Sequence, residues 1–244
     1  MEHLSKNQIK WVRCLQQKKQ RDAEGVFVAE GHKCVEELRG AFELVLLVTP
    51  DNATEVEIAQ MSNLRTPQGV IGVFRKRPIA SSPDSPIASL PQGLVLALDG
   101  VQDPGNLGTI IRTCDWFGIH DIYCSKDTAD CYNPKVVQAT MGALARVRVH
   151  YIDLAPWLAE LSKANIPIYG TLLEGGNMYQ DGAIADKNKG VIIMGNEGNG
   201  ISPYIRERIT HPIRIPSYPE NAETSESLNV GIATAIVLAE FRRE

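Results

Sequence analysis

The stretch LVLALDGVQDPGNLGTIIRTCDWFG, Leu94 to Gly118, holds a strand, a loop and a helix in succession. Leu94 to Leu98 is short and continuously apolar, as a strand buried on both faces of a parallel sheet is. Asp99 and Gly100 end it. Ile110, Ile111, Cys114 and Phe117 then recur at helical spacing, which predicts a helix over 106–117 with Asn106 as its cap and Gly118 as its stop. In such βα units ligands gather at the carboxyl ends of the strands. Two nucleotide loops fail here. Gly100, Gly105 and Gly108 do not have the spacing of a dinucleotide fingerprint, and Gly108-Thr109 lacks the lysine of a phosphate loop. Arg112 remains, in an otherwise apolar helix on the side of Asn106 and Gly108. A surface arginine is its ordinary fate, and a ligand-facing one is the alternative.

The same alternation continues on both sides of this unit. Strands are predicted at Ile122–Cys124, Val147–Tyr151, Ile168–Thr171, Val191–Met194 and Ile213–Ile215, and helices at 133–144, 153–163, 202–208 and 228–242. That order implies a mostly parallel sheet covered on both faces. Upstream, residues 78–92 (PIASSPDSPIASLPQ) contain four prolines and four serines, a linker composition. Residues 1–77 read as a small α/β domain: a basic helix over 6–20, strands at 26–28, 44–48 and 70–74, and helices near 31–40 and 54–62. The expected organisation is therefore 1–77, a linker at 78–92, and a larger α/β domain at 93–244.

A chain of 244 residues with 43% hydrophobic residues buries a full core, which excludes disordered and fibrous classes. No apolar run reaches the length of a membrane span, and the N-terminus is polar and basic, so a soluble, cytoplasmic protein is expected. Five cysteines without a C-x-x-C pair argue against a disulfide framework or structural zinc, and the five histidines are scattered. The net charge of −4 hides an asymmetry. Residues 1–21 carry six basic side chains (Lys6, Lys10, Arg13, Lys18, Lys19, Arg21) against Glu2 alone. Such a patch either binds phosphates or is a solvated helix face.

Two further loops follow apolar strands. Gly195-Asn196-Glu197-Gly198-Asn199-Gly200, after Val191–Met194, brings backbone within reach of a ligand and places one carboxylate among amides, although a tight turn also favours glycine and asparagine. The third leaves Ile215-Pro216, crosses a polar stretch with Glu220, Glu223 and Glu226, and enters an apolar helix at Ser227-Leu228-Asn229. Ser227 is the expected N-cap. Gly231, Ala233 and Ala235 give that helix a small-residue face, a candidate for a subunit contact or for contact with a knotted segment.

Together these loops resemble the three motifs of the SpoU (TrmH) branch of the SPOUT superfamily, the RNA ribose 2′-O-methyltransferases. The motifs are Asn106-Leu107-Gly108-Thr109-Ile110-Ile111-Arg112 ending at Gly118, the loop Gly195 to Gly200, and Ile215-Pro216 followed by Ser227-Leu228-Asn229-Val230. Lys18-Lys19-Gln20-Arg21, Gly25 to Val28 and Glu30-Gly31 resemble the family's RNA substrate-binding domain. The resemblance implies a C-terminal trefoil knot, S-adenosylmethionine as cofactor, no metal, a homodimer, and ribosomal or transfer RNA as partner. By position it assigns the adenosyl pocket to Thr171, Leu172, Met194, Gly195, Asn196, Gly198, Ile215, Pro216 and Leu228. It makes Arg112 the catalytic arginine, with Asn106 and Asn229 orienting it or the ribose, Glu197 holding the second loop and Ser227 ordering the third. RNA phosphates fall to Lys6, Lys10, Arg13, Lys18, Lys19 and Arg21.

The resemblance casts Arg112 as general base; because a guanidinium is not expected to lose its proton in a protein, a clamp on the adjacent phosphate that polarises the hydroxyl is the alternative role. The loop 217–226 is longer and more acidic than the family pattern. Two other functions compete: an RNA-binding or assembly factor that keeps the fold without catalysis, and a Rossmann-type nucleotide enzyme. The second fails on glycine spacing, and the first leaves the joint presence of Asn106, Arg112, Glu197, Ser227 and Asn229 without a reason.

Overall fold

The computed structural model describes residues 2–77, 90–219, 225 and 227–243. The linker segment 78–89 and Glu220, Glu223 and Glu226 of the acidic loop lie outside the described residues. The chain divides into two compact units, one of residues 2–77 with 130–146 and one of 90–129 with 147–243.

In the first unit, α1 (Lys6–Cys14) and α2 (Lys18–Glu24) precede β1 (Val26–Glu30), followed by α3 (His32–Arg39), β2 (Leu44–Val48), α4 (Glu55–Met61) and β3 (Ile71–Arg75). The strands form an antiparallel sheet in the order β1-β3-β2. Side chains alternate across a strand, so β1 offers two faces. Val26 and Val28 join Ile9, Val12, Ile58 and Met61 of α1 and α4 in one core. Phe27, on the other face, meets Phe42, Phe74 and Tyr132, with ring centroids 5.0, 5.7 and 4.8 Å away. Tyr132 belongs to the segment 130–146, which carries α6 (Pro134–Thr140) and a 3₁₀ turn, Ala143–Ala145. Both faces of β1 are thereby covered.

The continuous helix expected over 6–20 is instead two helices. The break follows from Arg21: its guanidinium donates to the Leu15 and Gln16 carbonyls at 3.1 and 2.8 Å and so terminates α1.

The second unit contains β4 (Leu94–Leu98), α5 (Pro104–Trp116), β5 (Asp121–Cys124), β6 (Arg148–Tyr151), α7 (Leu154–Lys163), β7 (Ile168–Asn177), β8 (Gly190–Met194), α8 (Pro203–Arg206), β9 (His211–Arg214) and α9 (Val230–Phe241). Its six strands run parallel in the order β6-β5-β4-β8-β7-β9. On one face, Val95, Ala97, Val191 and Ile193 pack with Trp157, Leu158 and Leu161 of α7 and Ile205 of α8. Residues of the opposite parity, Leu96, Leu98, Ile122 and Ile192, are equally buried, which accounts for the unbroken apolar runs.

Register sets where the loops emerge. Leu98 pairs with both Cys124 and Met194, so the chains leaving β4, β5 and β8 start side by side. Gly170 of β7 pairs with Ile193, and Thr171 with Ile213 of β9. Strand β7 extends well past the expected Thr171, with an irregularity up to Gly176. There Gly175 is required, because a Cβ would lie 2.5 Å from the Ile213 backbone.

Candidate active site

The loop after β4 is ordered by Asp103. Its Oδ1 accepts the Asn106 N–H at 2.8 Å, and Pro104 occupies the first helical position, so Asp103 and not Asn106 caps α5. The Asn106 side chain is thereby released for another task. Its Nδ2 donates to Glu197 Oε1 at 2.9 Å, and its Oδ1 accepts from Asn229 Nδ2 at 2.8 Å. One chain of hydrogen bonds, Glu197–Asn106–Asn229, ties together the loops after β4, β8 and β9.

Asn229 caps α9: its Oδ1 accepts the N–H groups of Gly231 and Ile232 at 2.9 and 3.2 Å. Ser227, the expected cap, lies two residues before the actual cap Asn229 and is exposed. Asn229 takes this place because its one amide oxygen satisfies two of the orphan N–H groups of the first turn. The small-residue face at Gly231 packs within the chain on Thr109 of α5, whose Cγ2 is 3.4 Å from where a Cβ would stand.

Arg112 lies one turn beyond Thr109 and is exposed, and among the described residues it makes no hydrogen bond or ion pair. Nearby Cys114 is wholly buried, and burial, helped by the charge of Asp115, pushes its thiol far above the ordinary range. It is therefore no nucleophile.

The hairpin after β8 closes on itself. Asn196 and Gly200 exchange backbone hydrogen bonds at 2.9 and 3.0 Å, and Asn196 Oδ1 accepts the N–H groups of Gly198 and Asn199. A side chain at Gly195 would collide with Gly200, 2.3 Å away. Asn196 thus spends its side-chain oxygen and both backbone groups on the hairpin, where it shapes the loop. Thr171 Oγ1 donates to the Ile193 carbonyl at 3.2 Å, and Met194 is buried. Leu172, Ile215 and Pro216 are partly exposed and Leu228 is 49% exposed, leaving apolar surface on β7 and on the chain that follows β9.

Among the described residues no group of three His, Cys, Asp or Glu side chains is placed to hold a metal ion, and no helix is long and apolar enough to cross a membrane. In the first unit, Lys6, Lys10, Arg13, Lys18 and Lys19 are exposed on α1 and α2. Arg21 is not part of that surface. It is 1% exposed and its fork is engaged by Leu15, Gln16 and Asp130.

The decisive comparison is with the SpoU rRNA Methylase family, which residues 93–239 match. The chain belongs to the SpoU rRNA methylase family. Residues 6–57 match a second family, the MRM3-like substrate binding domain. A relative of this SpoU chain is the 23S rRNA (guanosine(2553)-2′-O)-methyltransferase RlmP of Bacillus subtilis, 31% identical over 255 residues, with 98% of this chain and 97% of that one covered. Two solved structures share the fold along nearly the whole chain. A TrmH-family protein from Porphyromonas gingivalis has a TM-score of 0.83 and 36% identity, with 98% of each chain covered. An AdoMet-bound rRNA methyltransferase from Sinorhizobium meliloti has a TM-score of 0.83 and 30% identity, covering 99% of this SpoU chain and 96% of its own.

Proposed function

We propose that this chain methylates a ribose 2′-hydroxyl of 23S ribosomal RNA, with S-adenosylmethionine as donor and Arg112 at the reacting oxygen. The observation that carries the proposal is the Glu197–Asn106–Asn229 chain, which draws one polar residue from each motif to the ends of β4, β8 and β9.

S-adenosylmethionine fits these residues: partly exposed apolar side chains at Leu172, Ile215, Pro216 and Leu228 suit the faces of a purine, and the glycine hairpin offers backbone groups to its edge. Thr171, Gly195 and Gly198 contribute through their backbone, and Met194, whose carbonyl is taken by the Asp99 N–H, ends the strand from which the hairpin leaves. Bound there, the cofactor supplies a sulfonium-activated methyl group, whose transfer to the ribose oxygen leaves a neutral thioether and releases the hydroxyl proton. The protein's share is positioning and polarisation. Arg112 donates its fork to the phosphate beside the target ribose and polarises the 2′-hydroxyl, and the proton leaves to phosphate or water. Asn106 and Asn229 hold the ribose side of the site, and Ser227 leads the third loop into it.

Lys6, Lys10, Arg13, Lys18 and Lys19 bind RNA phosphates, and the acidic loop leaves this task to the first unit. The active form is a homodimer whose C-terminal segment carries the trefoil knot of the family. In support, Trp116, one turn beyond Arg112, is 86% exposed, and Ile232 of α9 is exposed as well.

The test is a map of 2′-O-methylation across ribosomal and transfer RNA from cells lacking the gene. One site is expected to vanish and to return with the wild-type gene but not with Arg112→Ala. Persistence of every site would favour the binding-only factor.

A further inference from the structure

Asp99 directly follows β4 and is 4% exposed, yet it stands outside the Glu197–Asn106–Asn229 chain. Its Oδ2 accepts two bonds from a single residue, the backbone N–H and the hydroxyl of Ser202, each at 2.7 Å. Its own N–H donates to the Met194 carbonyl at 2.9 Å. Gly100 makes the next tie: its carbonyl accepts from Asn196 Nδ2 at 2.7 Å, and its N–H donates to Ser125 Oγ at 2.8 Å. Gly100 needs its left-handed backbone, φ +72°, to hold this arrangement. The dipeptide Asp99-Gly100 therefore grips the chain after β8 immediately before the hairpin, at its first turn and at its far end. Between those grips the hairpin is closed by its own bonds, and Glu197 at its tip reaches out to Asn106.

A carboxylate buried this deeply is costly unless its oxygens are used, and a strand can be ended without one. Two charge-assisted bonds to the amide and hydroxyl of one residue fix both its distance and its rotation. We infer that Asp99 is a positioning residue for methyl transfer, which anchors Ser202 and so sets the height at which the Gly195–Ser202 hairpin presents Glu197 to Asn106 and its backbone to the donor. The inference rests on the reaction proposed above. Asp99 touches no reacting atom, and its effect passes entirely through the hairpin.

Three variants of the full-length chain test it. Asp99→Ala removes both bonds, Ser202→Ala removes only the hydroxyl, and Asp99→Asn keeps one oxygen able to accept both. The readouts are kcat and KM on ribosomal RNA, S-adenosylhomocysteine affinity by calorimetry, and hydrogen exchange at the Gly198 and Asn199 amides. A displacement of the site by a fraction of an ångström to one ångström predicts a loss of kcat of about 100-fold in Asp99→Ala and about tenfold in Ser202→Ala. S-adenosylhomocysteine affinity should fall and both amides exchange faster, while KM for RNA stays put and Asp99→Asn recovers most of kcat.

If Asp99→Ala does not fold, Ser202→Ala and Asp99→Asn carry the comparison. Faster exchange with unchanged kcat and unchanged S-adenosylhomocysteine affinity overturns the inference, as does a loss confined to KM for RNA. If the wild type transfers no methyl group, the proposed reaction falls. Cofactor affinity then decides for Asp99 independently, a fall supporting its positioning role and an unchanged value overturning it.

Discussion

Arg21 and Asp130 are paired at 2.7 Å across 109 residues of sequence, with the arginine side chain 1% exposed and the aspartate 14%. The pair fastens the segment 130–146 to α2, and the same arginine ends α1. Asp130→Ala leaves the guanidinium buried without its counter-charge. The expected cost is about 3–5 kcal/mol, whereas Arg21→Met with Asp130→Leu, which removes both charges, costs far less. Urea unfolding of the two variants checks the order.

Asn106 both donates to Glu197 and accepts from Asn229. Asn106→Ala uncouples all three motif loops, and kcat is expected to drop by about 100-fold. Glu197→Gln keeps an oxygen in the same place and is expected to lose less. Equal losses in a single-turnover methylation assay would mean that the charge of Glu197, and not its acceptor geometry, is what the site uses.

Asp121 lies at the start of β5 and accepts from His150 Nε2 at 2.7 Å and from Arg148 Nε and Nη2 at 2.8 and 2.6 Å. Burial alone would raise its pKa, but the bonds from His150 and Arg148 and their charges outweigh it and hold the carboxyl well below the usual range. Its folded pKa is therefore below its unfolded value. The stabilisation is complete above about pH 4 and is lost as pH falls through the depressed folded value. Thermal melts between pH 2 and 6 should show Asp121→Asn less stable than wild type at pH 6, by about 1.5–3 kcal/mol, with the gap closing towards pH 2.

Trp116 leaves most of its indole in water on the helix that carries Arg112. A second copy of the chain is the proposed cover, so Trp116→Lys is expected to shift the protein to monomer in sedimentation velocity. Methylation should fall with it. A variant that remains dimeric would locate the interface elsewhere.

Much of the architecture was legible because local pattern and burial agree. Leu94–Leu98 and Val191–Met194 are apolar throughout, and they are the central strands β4 and β8. Caps are less legible: the pattern points to Asn106 and Ser227, whereas Asp103 and Asn229 cap the helices. For α5 the signal existed, since an aspartate before proline marks a cap followed by the first helical residue. For α9 three polar candidates stand within a few positions, and only the tertiary contact to Asn106 distinguishes Asn229. Asp99 read as a strand terminator because its partner is 103 residues away. The fate of Arg21 was illegible for the same reason: nothing in a basic helix announces a distant aspartate.

The segment 130–146 also sets a schedule for biosynthesis. Phe27 waits for Tyr132, and Arg21 for Asp130, long after residues 1–77 have been made. At about 5–20 residues per second, the ribosome needs roughly 3–14 s more to reach the end of that segment. Until then the nascent N-terminal sheet, though Phe42 and α3 already lie on its Phe27 face, keeps the part of that face covered by residues 130–146 open, a window in which a chaperone, or a misplaced strand from another chain, competes with the protein's own continuation.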